Sequence, residues 1–207
     1  MSYFPKVDLH ALAAQVDEDL DAALEALQAL YREVDRRNAE NTRTLDLPCH
    51  RGCDMCCHES VFLTPLEFFS VWDYAQRELS DETRQGIIVR GLALYAEHQA
   101  AIALLQDPPQ EGRRDHFEVA RKLRFTCPFL GAQGACLVYP ARELYARLFG
   151  SSFNEGEGIF GCHLVGEHLA GKTVSLLRVR PMALKLSELP LTFMRQIYPY
   201  YLHMLYG

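Results

Sequence analysis

"CHRGCDMCCHESVFLTPLEF", residues 49–68, contains two halves that ask for different backbones. The second half carries a helix start. Thr64 suits the N-cap. Pro65 suits the first helical position, where its missing N–H costs nothing. Glu67 stands third, where a carboxylate can reach back to the cap. Phe68, Trp72 and Ala75 or Gln76 follow at helical spacing, with Phe69 beside them, and extend that helix to about Leu79. The first half holds Cys49, Cys53, Cys56 and Cys57, four of the chain's seven cysteines, and has no helical period. Gly52 permits a tight turn at its centre.

Working outward, residues 7 to about 42 predict one long helix. Leu9, Ala13, Val16, Leu20, Leu24, Leu27, Tyr31 and Val34 form an apolar stripe that needs a partner, either another helix of this chain or a second copy of it. Asp17, Glu18 and Asp19 fall on its solvated face. Downstream, Ser80 caps a further helix with Asp81 and Glu82 in its first turn, ending near Asp107 before Pro108-Pro109. A shorter helix is expected across about 115–124. Residues 125–163 are rich in Gly, Pro and aromatics. Within them, a turn at Gly131–Gly134 joins two extended pieces, and Ala141–Leu148 is a short helix. Thr173–Arg180 alternates as a strand would. Leu186–Leu205 reads as helix, kinked or broken by Pro190 and Pro199. The expected fold class is mainly α: a helical bundle with an irregular, cysteine-rich metal-binding middle. It forms one domain built from an amphipathic helix (1–46), a cysteine-cluster region (47–163) and a helical C-terminal segment (164–207).

The chain has 207 residues, nearly half of them hydrophobic, so a core does not depend on disulfides. A net charge of −6 and the lack of a basic stripe argue against a nucleic-acid groove. The first residues, MSYFPKVDLH, lack the basic and apolar regions of a signal peptide, and no run approaches a membrane span. These features point to the cytoplasm and away from membrane partners. Thiols stay reduced there, and seven is an odd count for a disulfide framework.

The remaining thiols, Cys127, Cys136 and Cys162, lie 70 to 105 residues beyond the first cluster. A lone cysteine is usually a small core hydrophobe. Four in nine residues are not explained that way. Thiolates repel one another unless a cation sits among them, so metal binding gives a reason for the crowding. His50, His58 and His163 flank cysteines and could add nitrogen ligands or orienting hydrogen bonds. A redox pair at Cys53-x-x-Cys56 lacks the expected strand–helix–strand context. Seven thiols exceed the needs of one tetrahedral zinc. They suit a multi-iron cluster with spare neighbours, or two sites.

Residues 49–68 together with "CPFLGAQGACLVYPARELYARLFG" resemble the CxxCxxCC family of zinc- or iron-chelating cysteine-cluster proteins. The resemblance covers about residues 47–163. Cys127, Pro128, Phe129, Leu130, Cys136, Tyr139, Arg142 and Arg147 match its second half, and Cys162 matches its last cysteine. Glu143 stands where the family has proline, and Ala146 where it has another cysteine. The resemblance implies metal chelation by Cys49, Cys53, Cys56, Cys57, Cys127, Cys136 and Cys162, with Ala146 leaving a gap beside the metal. An iron–sulfur cluster is the expected cofactor, ahead of zinc.

Three functions follow as expectations. The first is a cysteine-ligated metal-binding protein. The second is a metal-dependent enzyme, because a flagellin lysine methylase carries a related motif and Cys49-x3-Cys53-x2-Cys56 has radical-SAM spacing. Met55 stands where those radical enzymes have an aromatic residue, and their alternating strands and helices are not evident. The third is a zinc-pinned scaffold that binds a protein partner through the N-terminal helix.

Overall fold

A computed structural model describes residues 3–50, 52–105, 123–156 and 158–207. The fold is mainly helical, as expected. The described residues contain eight helices: α1 (Leu9–Ala14), α2 (Leu20–Thr42), α3 (Pro65–Glu78), α4 (Asp81–Leu104), α5 (Leu144–Leu148), α6 (His163–Leu169), α7 (Val179–Ser187) and α8 (Tyr198–Tyr206). One small sheet joins β1 (Ser152–Asn154), β2 (Gly158–Phe160) and β3 (Leu177–Arg178) in the order β2-β1-β3. β1 pairs antiparallel with β2 and parallel with β3.

The single long N-terminal helix is corrected to two. Asp19 accepts a hydrogen bond from the Ala22 N–H at 3.1 Å and starts α2, as Asp8 starts α1. Asp17 sits between them at φ 57°, a conformation that aspartate tolerates. The three acids therefore form a capped turn instead of a helix face, and Val16 is exposed. From Leu20 onward the stripe is buried: Ala23, Leu27, Leu30, Tyr31 and Val34 pack against α3, α5 and α7.

α3 begins as expected. Thr64 and Glu67 exchange the two bonds of a capping box. The Glu67 carboxylate does more. Its Oε2 accepts the Thr64 N–H at 2.8 Å, and its Oε1 accepts the Leu144 N–H at 2.9 Å and the Tyr31 hydroxyl at 3.3 Å. Burial pushes its pKa up, and the hydrogen bonds from Thr64 and Leu144 restrain the rise.

Ser80 caps α4 as expected, with Asp81 and Glu82 in the first turn. The helix kinks at His98. The helix expected at 115–124 falls largely on residues 106–122, outside the described residues, while Leu123 and Arg124 are irregular. α4 is the one described helix long and apolar enough to cross a membrane by length and composition, contrary to the reading that no run comes near a span. It packs along α8, and its Arg90 donates two hydrogen bonds to the Pro128 carbonyl.

The C-terminal expectations need two corrections. Only Leu177–Arg178 of the expected strand is extended, because Arg178 already serves as the N-cap of α7 and Pro181 fits its first turn. The expected 186–205 helix is interrupted over 188–197, where Gln196 and Leu63 exchange backbone hydrogen bonds at 3.0 Å. Pro199 then sits at the start of α8. In the core, Phe68 stacks on Tyr201 at 4.7 Å, and the Trp72 indole N–H donates to the Tyr206 hydroxyl. Phe129 meets Tyr198 at 4.8 Å and Trp72 at 6.2 Å. The loop after Cys127 is thereby rooted in the core.

Glu67→Ala strands the Thr64 and Leu144 N–H groups and the Tyr31 hydroxyl. The expected loss is about 3–5 kcal/mol, read from the urea midpoint. Glu67→Gln retains one acceptor and should fall between the variant and the native protein.

Candidate metal centre

Backbone contacts bring three chain segments together. The Cys127 N–H donates to the Cys57 carbonyl at 2.7 Å. Cys136 bridges antiparallel to Leu130 across the expected Gly131–Gly134 turn. That turn presses on the first cysteine loop, where a Cβ on Gly134 would lie 2.3 Å from the Gly52 carbonyl oxygen. Gly134 has φ 72° and Gly52 φ 96°, so both the space and the backbone conformation ask for glycine. From the third segment, Gly150 packs beside the Cys49 sulfur, and Cys162 starts α6.

Arg147 holds the intervening segment down. Its guanidinium bonds Asp35 on α2 and the carbonyls of Pro140 and Arg142, and lies 4.2 Å from the Tyr31 ring centroid. Ala141–Leu148 is therefore one turn of tighter helix, Tyr139–Ala141, followed by α5, where a single helix was expected.

All seven cysteines are free thiols: Cys57 is buried, Cys49 exposed and the others half-buried. The neighbouring Cys57 thiol holds Cys56 below the ordinary thiol range, and the same interaction, with burial, pushes Cys57 up. Burial pushes Cys127 well up and Cys136 up to about 11. These four feel one another electrostatically. Cys49 instead feels Cys53 and Cys162 most strongly, then Cys56. The structure brings the segments together but does not surround a point with donors. Among the described residues, no three His, Cys, Asp or Glu side chains converge closely enough as they stand to hold an ion. The donor chemistry fits a thiophilic metal or an iron–sulfur cluster. Closing on either needs adjustment of the loops.

The three flanking histidines are exposed. His50 is bonded to the Pro48 carbonyl, and His58 to Asp54 and Thr126. Ala146 is half-buried on α5. The acid that reaches the thiols is Glu143, three residues earlier, which raises Cys56, Cys127 and Cys136. Glu143 is itself buried, its pKa pushed up by that burial, and it accepts the Tyr198 hydroxyl. Sequence reasoning missed it as a participant. The visible signal was a carboxylate standing where the family motif has proline.

In metal-free, reduced protein, Cys56 should alkylate faster than Cys57, Cys127 and Cys136, with its rate half-maximal below the ordinary thiol range. Cys57→Ala should move that midpoint up towards the ordinary thiol range, as followed by mass spectrometry of iodoacetamide adducts. Gly134→Ala should cost about 1–3 kcal/mol and speed alkylation of Cys57, because the two loops must part to admit the methyl group.

No family model, no curated protein and no solved structure matches the chain.

Proposed function

We propose that the chain holds a thiolate-ligated metal centre, an iron–sulfur cluster ahead of zinc, and works in a reducing compartment such as the cytoplasm. One observation carries this reading: seven free thiols from three distant segments share one region, tied together by backbone contacts. Thiolates drawn together in that region would repel, and a soft cation would offset that repulsion. A cluster supplies one-electron chemistry, whereas zinc supplies a structural tie or a Lewis acid. The cysteines fix the donors, and Arg142 and Glu143 set the local charge. Arg142 pulls down on Cys49, Cys56 and Cys136, while Glu143 opposes it at Cys56 and Cys136.

A second reading, thiol–disulfide exchange led by Cys56, is favoured by its lowered pKa and its bond with Cys57. Metal and sulfide analysis of anaerobically prepared protein separates the two. Iron with inorganic sulfide supports the cluster, zinc alone supports the structural tie, and no metal leaves exchange. If a metal organises the region, chelation under reducing conditions should raise hydrogen exchange across residues 47–60 and 125–163 and leave α2 and α4 protected. Unchanged loop protection after verified metal removal would count against the proposal.

A further inference from the structure

One face of α4 packs on α8, and the other is bare. On the packed face, a Cβ on Gly91 would lie 2.3 Å from the Leu202 side chain, and the Tyr95 and His203 rings stack at 3.7 Å. On the opposite face, Val89, Ala93, Ala96, Ala100 and Ala103 recur at spacings of four and three, and all are exposed. Gly86 extends the series by one step. Val89 is 57% exposed, and Leu104 beside the far end is 53% exposed. The exposure continues beyond the kink at His98. Only 22% of the most apolar stretch of α4 is buried, so the core of this chain does not account for its composition. From Gly86 to Ala103 the seam runs for about 25 Å. Its small side chains let a second helix approach to an axial distance of about 8 Å.

Two charges stand on one flank of this seam. Arg90 is exposed, and its Nε and Nη2 bond the Pro128 carbonyl, which fixes the guanidinium at the edge of the face. Glu97 lies seven residues on, two helical turns along the same flank. Its side chain is 69% exposed, and its ion-pair partner is the adjacent His98 at 3.8 Å. Among the described residues no other charged side chain lies on α4 between Gly86 and Leu104, apart from His98 when protonated.

We infer that this face of α4 is a self-association surface, which pairs antiparallel with the same face of a second copy about a two-fold axis between Ala93 and Ala96. In that register Ala93 faces Ala96 of the second copy, Val89 faces Ala100 and Gly86 faces Ala103, so every seam residue meets another small or apolar one. The flanking charges decide the direction. Antiparallel pairing brings Arg90 of each copy alongside Glu97 of the other, twice by symmetry. A parallel pair would set Arg90 beside Gln85 and Glu97 beside Leu92, with neither charge compensated. A lipid surface would also leave both charges uncompensated at the edge of the apolar face. One helix face per copy is a small interface, so the dimer dissociates at roughly micromolar concentration. The inference does not depend on the metal reading.

The test is sedimentation equilibrium of the full chain under reducing conditions, from about 1 to 100 µM. The mass should rise with concentration from the 23.6 kDa of one chain to twice that value. Ala93→Arg places a charge on an exposed position and should hold the chain monomeric with its helicity and melting temperature unchanged. Glu97→Arg and Arg90→Glu should each weaken association about tenfold or more, through like charges facing across the seam. An equal mixture of those two variants should restore a dimer, because each then presents the charge that the other lacks. That restoration is a readout that misfolding of either variant cannot produce. A native chain that stays monomeric to about 100 µM, a dimer that survives Ala93→Arg, or a mixture no tighter than its components overturns the pairing. So does a monomeric chain that co-sediments with phosphatidylcholine vesicles through Val89 and Leu104, which would give the face to lipid.

Discussion

The carboxylate of Glu67 is the point on which the helices agree. A single buried acid receives donors from the start of α3, the start of α5 and the middle of α2. Each of those donors would otherwise be an unpaired polar group in the interior, so the three elements stay in register through one side chain. Arg147 repeats the arrangement with opposite charge, bridging α2 to the carbonyls before α5. Both residues fix the segment that carries Arg142 and Glu143, and so set where charge stands beside the thiols. The helical scaffold and the cysteine region share these two hubs.

The features legible in the sequence were those with local causes. The Thr64–Glu67 cap, the Ser80 cap and the turn at Gly131–Gly134 each depend on residues a few positions apart, and the structure contains all three. The apolar stripe of α2 was legible for the same reason. The break at Asp17–Asp19 was obscured because the hydrophobic period runs through it. An aspartate that starts a new helix looks, in a periodic pattern, like one on a wet face. The β1–β2 hairpin was missed because its strands are three residues each, too short to show alternation. In the cysteine region, spacing marked which residues could take part but not how the loops meet. Those meetings were not legible, because the Gly52–Gly134 contact and the Gly150–Cys49 contact join segments far apart in the chain.

Burial and charge divide the thiols further. Cys127 and Cys136 are held protonated by their surroundings, while Cys56 is eased towards the thiolate by the proton of Cys57. Removing the protons of Cys127 and Cys136 takes energy, which a bound cation would offset. In the metal-free chain Cys127 and Cys136 are therefore held back from reaction, while Cys56 is eased towards it.

The bond from the Cys127 N–H to the Cys57 carbonyl also imposes a schedule. The two residues are 70 positions apart, which at about 5–20 residues per second puts roughly 4–14 s of synthesis between them. Cys162 emerges later still. Throughout that interval the first four thiols leave the ribosome without the loop that shelters Cys57 or the glycines that receive Cys49. The growing chain thus passes through a stage in which its cysteines are accessible before its core is complete, so the redox state of its surroundings acts on it during translation as well as after.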